Sequence, residues 1–390
     1  MATLLRARRA LTLQPGRPVI EDAALVVGED GLIHDVGTWT QLQKSWSFPT
    51  VCVQDMGEVD LVPGPLNAHT HLELSHTLGR TRLGQGFGAW LNSLLALDQK
   101  GIPPAFLHDA CHSMTLAGTA FVADVTSRHP TLVAEALTQG MLDGHLFLEM
   151  IGQAPLDPAV LDPAALPLLP SQAAGGHLTM SLMGHAPYST SAPRLQAAKA
   201  WNHERGLPFC LHLAEHQEER EFLRHGTGML ADLVLGTLLP DTWTPPRTSS
   251  VAYANSLGLL DHRTLAVHCV QLEGEDIATL KAGGTTVCLC PRSNAAIGVG
   301  RAPVEALRAA GVPLCLGTDG LCSTPSLNVL DELAFLLPQL DPAPGLLEAL
   351  GWLTTEPARF FGVSHKWGMI APGRPSRLGI LPAALRDAPL

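Results

Sequence analysis

The pattern of apolar and polar residues changes twice along the chain. Residues 1–62 alternate apolar and polar positions in short runs between Gly, Asp and Pro, which is typical of short strands joined by turns. The final stretch, WGMIAPGRPSRLGILPA at 367–383, shows the same alternation. We therefore predict one small β-sandwich formed from both termini, with boundaries 1–62 and 366–390.

Between these ends, apolar runs rich in β-branched residues alternate with segments of helical periodicity. The alternation predicts an α/β fold, a (β/α)8 TIM barrel over 63–365. The predicted strands are GPLNAHTHLEL, TAFVADVTS, GHLFLEMIG, HLTMSLMGHAP, LPFCLHLAEH, TLAVHCVQL, TTVCLCPRSN and VPLCLGTDG. The predicted helices are 86–97, 130–138, 191–206, 275–284, 303–311, 331–340 and 346–362. The segment 239–250 (LPDTWTPPRTSS) has the composition of a loop and could border a site.

Several predicted strands end in polar side chains that could meet at one end of a barrel. His69 and His71 are two residues apart and therefore project to the same side of their strand. With His212 and Asp319 they would give a mixed nitrogen and oxygen ligand set with an open position for water. Zinc is the default metal for such a set, although iron and manganese are compatible with it.

The sequence also bears on the number of metal ions. There is no lysine between Lys100 and Lys199, so the fourth predicted strand cannot supply a carbamylated lysine to bridge two ions. We therefore predict one divalent metal, with a bridge through Glu149 as the alternative.

Three further residues could move protons. Glu215 follows His212 by three residues and could shuttle a proton between water and substrate, while His268 and Asp319 could orient or deprotonate the water. A metal would lower the pKa of such a water towards neutrality. The competing interpretations are a satisfied core histidine for His268 and a solvated loop carboxylate for Glu215. The second interpretation is the one we assign to the neighbouring Glu218, Glu219 and Glu221.

Charge and composition exclude some classes of protein. The net charge of −11 disfavours nucleic-acid binding, which needs a basic surface. The basic start MATLLRARRALTL has no uninterrupted apolar core and no small-residue cleavage site, and no window is apolar enough to span a membrane. The eight cysteines contain no CxxC pair and sit mostly in apolar runs, which predicts reduced thiols. We predict a cytoplasmic protein with a small-molecule substrate and no nucleic-acid or membrane partner; a homodimer stays open.

Taken in order, the motifs PGPLNAHTHLE, HLAEH, LAVHCV, CPRSN and LGTDGLCSTPSLNVLDEL resemble the amidohydrolase superfamily, in its deaminase and chlorohydrolase branch. Within that branch, HTHLELS, FGAW, HAPYSTS and CPRSN are most similar to the aminodeoxyfutalosine deaminases of menaquinone synthesis. The resemblance covers nearly the whole chain. This sequence departs from the family pattern in its closing strand, where PSRLGIL follows PGR.

The resemblance implies a role for each candidate residue. The metal ligands would be His69, His71, His212 and Asp319. Glu215 would protonate the ring nitrogen next to the attacked carbon, and His268 with Asp319 would handle the hydroxide. The implied substrate contacts are Glu73, His185, Arg292, Ser293 and Trp90, with Phe87 beside them. For Arg292 the alternative is a surface arginine, and for Phe87 and Trp90 it is packing within a helix.

The implied reaction is hydrolytic deamination of an aminopurine nucleoside, 6-amino-6-deoxyfutalosine, with release of ammonia. Alternative substrates are adenosine, S-adenosylhomocysteine, methylthioadenosine, a pterin or a chlorinated triazine. A metal-binding barrel without catalytic activity is the alternative from another class of protein, although every expected site position is filled in this sequence.

Overall fold

The computed structural model describes residues 2–46, 51–97, 101–156 and 177–390. The chain forms two compact units. One comprises Met1–Asn67, Met114–Phe121 and Asn328–Leu390, and the other comprises Ala68–Ser113 and Val122–Leu327. The domain boundaries derived from the sequence, 63–365 against the two ends, remain a prediction.

A six-stranded sheet combines both ends of the chain, as the alternating pattern predicts. Its last strand runs antiparallel to the strand just before the barrel, with Gly379 opposite Val62. The strands are β1 (Ala2–Gln14), β2 (Arg17–Val27), β3 (Ile33–Thr38), β4 (Val51–Asp55), β5 (Asp60–Pro63) and β14 (Leu378–Ile380). The basic residues near the N-terminus have a structural role here, because Arg8 and Arg9 donate to the buried carboxylate of Asp60 at 2.5 and 2.7 Å.

The middle of the chain forms eight parallel strands in sequential order, which confirms the predicted TIM barrel. Their residues are almost entirely buried, as expected of strands covered on both faces. The strands are β6 (Leu66–Thr70), β7 (Phe121–Thr126), β8 (Asp143–Met150), β9 (Leu178–Gly184), β10 (Phe209–Leu213), β11 (Thr264–His268), β12 (Thr286–Leu289) and β13 (Leu314–Leu316).

Most helices also fall where the periodicity places them. Those with a predicted counterpart are α2 (Phe87–Leu95), α4 (Pro130–Gln139), α5 (Ala192–Glu204), α9 (Asp276–Gly283), α11 (Val304–Ala310), α12 (Val329–Leu336), α13 (Leu346–Gly351) and α14 (Thr355–Phe360). The others are α1 (Trp39–Ser45), α3 (Pro104–Leu116), α6 (Gln217–His225), α7 (Met229–Val234), α8 (Ser250–Ser256) and α10 (Pro291–Ile297).

Two of these differences bear on the candidate site. CPRSN, predicted to end a strand, begins helix α10 at Pro291, a residue well suited to the first helical position. The acidic run EHQEEREF, predicted to be a solvated loop, forms α6, which buries Phe222 and Leu223 together with Glu219. Among the described helices, none has both the length and the apolar character needed to cross a membrane.

One buried histidine lies between two barrel strands. His145 on β8 makes 2.7 Å hydrogen bonds through both ring nitrogens, to the hydroxyls of Thr179 and Ser181 on β9. Burial lowers the pKa of His145 to about 3. The folded protein therefore keeps this ring neutral, while the unfolded chain takes up a proton below its ordinary pKa of 6.5.

This difference predicts a specific acid sensitivity. The stability that neutral His145 contributes is present above pH 6.5 and is lost as the pH falls from there towards 3. We expect the difference in unfolding free energy between the wild type and His145→Asn to shrink by about 1.4 kcal/mol per pH unit below 6.5. Urea unfolding of both proteins between pH 7.5 and 5 measures it. A difference that stays constant over this range would contradict the buried, neutral ring.

Candidate active site and metal centre

The candidate site lies where the barrel strands end, and the backbone there is unusual. Ala214, His268 and Asp319 adopt left-handed φ values of 52°, 75° and 61°. Residues other than glycine seldom adopt such values, and those that do cluster at functional sites because the surrounding structure has to hold them. Each of these turns follows a buried strand and carries a polar side chain of the predicted site.

The predicted metal ligands come together. Nε2 of His71 lies 3.4 Å from Nε2 of His212, and Oδ1 of Asp319 lies 3.7 and 3.5 Å from Nε2 of His69 and of His71. Candidate ligand atoms of His69, His71 and Asp319 lie within 4.8 Å of one another, as do those of His69, His212 and His268.

His69 shows that this cluster fits a metal ion. Its side chain is 0% exposed, and neither ring nitrogen has a hydrogen-bond partner among the residues that the structure describes. Leaving a buried polar group unpaired costs on the order of 1–3 kcal/mol. A divalent cation bound by imidazole nitrogen and carboxylate oxygen would satisfy Nε2, and the donor set is the one expected of zinc.

The first and last barrel strands meet at this cluster. The amide of Asp319 donates to the carbonyl oxygen of His69 at 3.0 Å. A Cβ atom at Gly317 would lie 2.6 Å from Cβ of His69, so any side chain at position 317 would displace this histidine. Glycine at this position therefore permits the close approach that brings the carboxylate to the histidine pair.

Asp319 has its own supporting residues. The hydroxyls of Ser293 and Ser323 donate to its Oδ2 at 2.5 and 2.9 Å, which leaves Oδ1 facing the histidines. Burial raises the pKa of Asp319, but the neighbouring histidines and the Ser293 bond outweigh this effect and lower it to about 2. Ser293, predicted as a substrate contact, thus contacts the predicted metal ligand, and Ser323 was not singled out from the sequence.

A buried aspartate holds the segment that carries His71. Oδ1 of Asp124 accepts bonds from the Leu72 amide at 2.7 Å and the Thr70 hydroxyl at 2.8 Å, on either side of the histidine. Sequence analysis missed this residue. The available signal was an aspartate inside the apolar strand TAFVADVTS, because a buried carboxylate needs specific partners.

Glu215 and His268 lie together beside the predicted metal ligands. Their side chains are 7% and 2% exposed, and Oε1 of Glu215 is 3.7 Å from Nε2 of His268. The Nδ1 of His268 is 2.9 Å from the side-chain oxygen of Asn294. Because an amide oxygen can only accept, this bond places the proton on Nδ1 and leaves Nε2 able to accept one.

The turn that presents Glu215 is fixed by a second glutamate. The carboxylate of Glu219 accepts the backbone amides of Ala214 and Glu215 at 3.0 and 2.9 Å. The carbonyl of Ala214 accepts the amides of Val270 and Gln271 at 2.8 and 2.7 Å. The interpretation of Glu219 as a solvated carboxylate is wrong, because it is fully buried and turned inwards from α6.

We expect Glu219→Gln to lower kcat by about 10- to 100-fold while the metal content stays unchanged, because a small displacement of a reacting group is costly. Glu221→Gln, an exposed position on the same helix, is the matched control and should keep full activity. In a Glu215→Gln background the Glu219 change should have almost no further effect on the rate. A further large loss there would show that Glu219 does not act through Glu215.

Three of the other predicted substrate contacts line the pocket, and the fourth does not. Trp90 and His185 line the pocket beside the predicted metal ligands. The Trp90 indole donates to the Cys322 carbonyl at 3.0 Å. Glu73 also lines the pocket, but its carboxylate already accepts the Thr126 hydroxyl at 2.5 Å and the amides of residues 127–129. Arg292 donates to the Ser326 hydroxyl at 3.1 Å and is not one of the pocket-lining residues.

The pocket has a volume of about 470 Å³, within the range of small-molecule sites. Its polar lining includes His71, His212, Glu215, His268 and Asp319. The chain borders it at residues 233–238, directly before the predicted loop 239–250. Its apolar wall includes Leu74, Phe87, Trp90, Leu91, Leu94, Leu95, Ile102, Ile151, Leu233, Val234 and Leu238.

Comparison with known proteins agrees with this architecture. The chain is 30% identical over 330 residues to the aminodeoxyfutalosine deaminase of Deinococcus radiodurans, covering 82% of this chain and 77% of the relative. It is 30% identical to the 5-methylthioadenosine/S-adenosylhomocysteine deaminase of Nitratidesulfovibrio vulgaris, covering 85% and 71%.

Among solved structures, Helicobacter pylori aminofutalosine deaminase in complex with methylthio-coformycin superposes with a TM-score of 0.80. The two proteins are 23% identical, and the match covers 97% of this chain and 91% of the other. The model of the amidohydrolase family matches residues 61–384. The chain therefore belongs to the amidohydrolase family, as a hydrolase acting on carbon–nitrogen bonds.

Proposed function

We propose that the protein is a metal-dependent deaminase of an aminopurine nucleoside, with 6-amino-6-deoxyfutalosine as its substrate. The observation that carries the proposal is the placement of Glu215 and His268, 3.7 Å apart, beside the histidine and aspartate cluster at the pocket. The similarity to the Deinococcus radiodurans deaminase supports the choice of substrate. On this proposal the protein serves menaquinone synthesis in the cytoplasm, and a homodimer remains a prediction.

In the proposed site, His69, His71, His212 and Asp319 hold one divalent ion, with zinc expected from the donor set. When bound, the ion would supply Lewis acidity that makes water a nucleophile at neutral pH. Nε2 of His268 accepts a proton from the attacking water, and the Asn294 contact at Nδ1 fixes the orientation of the ring.

Glu215 performs the proton transfers at the substrate. It protonates the ring nitrogen next to the attacked carbon, which makes that carbon more electrophilic. The oxygen of water then adds to the carbon, and the second water proton passes through Glu215 and Asp319 to the exocyclic nitrogen. The bond from the carbon to this nitrogen breaks and ammonia leaves. The proton taken up by His268 returns to Glu215, 3.7 Å away, and restores the starting state. Burial of both carboxylates strengthens these interactions because little water screens them.

Other adenosine-like substrates share the same chemistry at the reacting carbon. The Nitratidesulfovibrio vulgaris relative favours methylthioadenosine or S-adenosylhomocysteine as the second candidate. Adenosine itself and an aryl halide are further alternatives, because the same metal ligands could serve them and only the pocket around the substrate would differ. A barrel that binds metal but turns over none of these compounds is the non-catalytic alternative.

Ammonia release tests the proposal. Purified protein with a measured metal content is assayed against 6-amino-6-deoxyfutalosine, adenosine, S-adenosylhomocysteine, methylthioadenosine, guanine and cytosine, with the adenine change followed by ultraviolet absorbance. We expect the highest kcat/KM for 6-amino-6-deoxyfutalosine. A preference for methylthioadenosine would support the second candidate substrate. Inactivity on the whole panel with about one metal bound per chain would overturn the deaminase proposal.

A further inference from the structure

Glu149 and His185 form, with His212, a third cluster of candidate metal ligands in the part of the chain that the structure describes. One ligand atom from each of these residues lies within 4.8 Å of the others. Strands β8 and β9 pair with Met150 opposite Gly184, which brings the strand ends that carry Glu149 and His185 together. Both side chains line the pocket, and through His212 the cluster adjoins the predicted catalytic ion.

Glu149 holds an unpaired oxygen in this cluster. Its side chain is 6% exposed, and its Oε2 accepts the Ser127 hydroxyl. Its Oε1 is buried and has no hydrogen-bond partner among the described residues. Leaving a buried charged group without a partner costs more than leaving a neutral one. This oxygen is therefore suited to a donor or a cation that comes from outside the chain.

His185 turns a second lone pair towards this oxygen. The Ser189 hydroxyl donates to the Ala186 carbonyl at 3.4 Å, so its oxygen can accept the Nδ1 proton of His185 at 2.5 Å. That tautomer leaves Nε2 of His185 without a proton, 3.9 Å from Oε1 of Glu149. Two acceptors that face each other repel, and a cation between them replaces the repulsion with attraction.

The separation of these two atoms suits a single ion. Two donors that each lie about 2.1 Å from a zinc ion are at most about 4.2 Å apart, and about 3.4 Å apart at the tetrahedral angle. The observed distance of 3.9 Å falls between these limits. Imidazole nitrogen and carboxylate oxygen are also donors that zinc accepts. Because His212 is already a predicted ligand of the catalytic ion, Glu149 and His185 are the ligands left for a second ion.

The charge of the pocket lining favours a second cation. The described lining residues include four carboxylates and one arginine, namely Glu73, Glu149, Glu215, Asp319 and Arg128. With the histidines neutral, this arginine and one divalent ion leave the lining with a net negative charge. A further cation is therefore attracted to the pocket.

We propose that Oε1 of Glu149 and Nε2 of His185 bind a second zinc ion, more weakly than the predicted catalytic site, and that this ion inhibits turnover. It is the weaker of the two because two protein ligands hold it instead of four. It inhibits because an ion at this position occupies space in the pocket that the substrate needs. The inference goes beyond the proposed function, which uses one ion, and it makes Glu149 a ligand of the second ion alone.

Equilibrium dialysis against buffered free Zn²⁺, followed by metal analysis, tests the inference without a substrate. We expect the wild type to bind one equivalent at low free Zn²⁺ and a second by about 0.1 mM, the range of weak divalent-cation sites in proteins. Glu149→Gln and His185→Gln should each keep the first equivalent and weaken the second by at least about 100-fold, because losing a ligand costs more than losing a residue that only orients one. Glu135→Gln, on the exposed side of α4, is the matched control and should bind both.

Two further measurements separate this site from zinc bound elsewhere on the surface. Ser127→Ala removes the bond that orients the Glu149 carboxylate and should weaken the second equivalent by about 10-fold. In kinetic assays, the Zn²⁺ concentration that fills the second site should raise the KM of the wild type for its preferred nucleoside. Glu149→Gln should show no such rise relative to its own KM at low Zn²⁺.

Other results would overturn the inference. A wild type that stays at one equivalent up to the highest free Zn²⁺ would remove the second site and leave the deaminase proposal intact. A second equivalent that persists in both Glu149→Gln and His185→Gln would be an adventitious ion only. Loss of both equivalents in Glu149→Gln would make Glu149 a bridge between two ions. If the wild type binds no metal at all, the proposed metal-dependent function fails as well.

Discussion

Replacing Glu215 with glutamine is expected to lower kcat by about 10³-fold and to leave the metal content at the wild-type level. The side chain of Glu215 is 7% exposed and lies 3.7 Å from His268, so bulk water has little access to take over its proton transfers. Glutamine has nearly the same shape but can neither give nor take the proton. Steady-state kinetics on the preferred nucleoside, together with metal analysis, measure both quantities.

The distribution of the effect between kcat and KM is part of this prediction. Glu215 acts on a proton in the transition state, so the loss should appear in kcat, with KM changed by only a few-fold. Glu221→Gln, an exposed carboxylate on α6, is the control for the chemical change itself. Loss of metal from Glu215→Gln would show that Glu215 contributes to metal binding and would contradict the assigned role.

Replacing His69 with alanine is expected to reduce the bound metal to well below one equivalent and to abolish measurable turnover. Both ring nitrogens of His69 are buried, and neither has a hydrogen-bond partner in the described part of the chain, so a metal ion would supply the missing contact. Losing one of four ligands should also raise the dissociation constant for zinc by several orders of magnitude, because structural zinc affinities reflect the full ligand set.

His145→Asn is the matched control for this change. It also removes a buried barrel imidazole, but both nitrogens of His145 are satisfied by Thr179 and Ser181. We expect it to keep its metal at pH 7.5. Equal metal content in His69→Ala and wild type would refute the assignment of His69 as a ligand. Metal loss in both variants would indicate a general disruption of the barrel.

The barrel could be predicted because parallel strands covered on both faces must be apolar throughout, which makes each one visible in the sequence. The histidine pair at 69 and 71 could be predicted for a related reason, since residues two apart in extended backbone project to the same side, and His71 directly follows the last residue of β6. Helix α6 was missed because its charged residues outweigh Phe222 and Leu223, which contact the rest of the protein.

The supporting residues could not be predicted from spacing. Ser293 and Ser323 meet at Asp319 only because the turn after β13 adopts a left-handed φ and α10 begins at Pro291. Glu219 belongs to an acidic run in which its neighbours are more exposed. Its side chain is buried because it lies on the inward face of α6. Roles of this kind depend on contacts between distant segments.

The closure of the barrel at Gly317 has a consequence for the synthesis of the protein. His69 and His71 leave the ribosome early, but the carboxylate that completes the proposed ligand set is at residue 319. No nascent chain shorter than this can bind the metal with the full ligand set, so truncated products should be both inactive and poor at retaining metal. If the proposed ligand set is correct, we expect arrested chains of increasing length to acquire full metal affinity only once the last barrel strand and Asp319 have emerged.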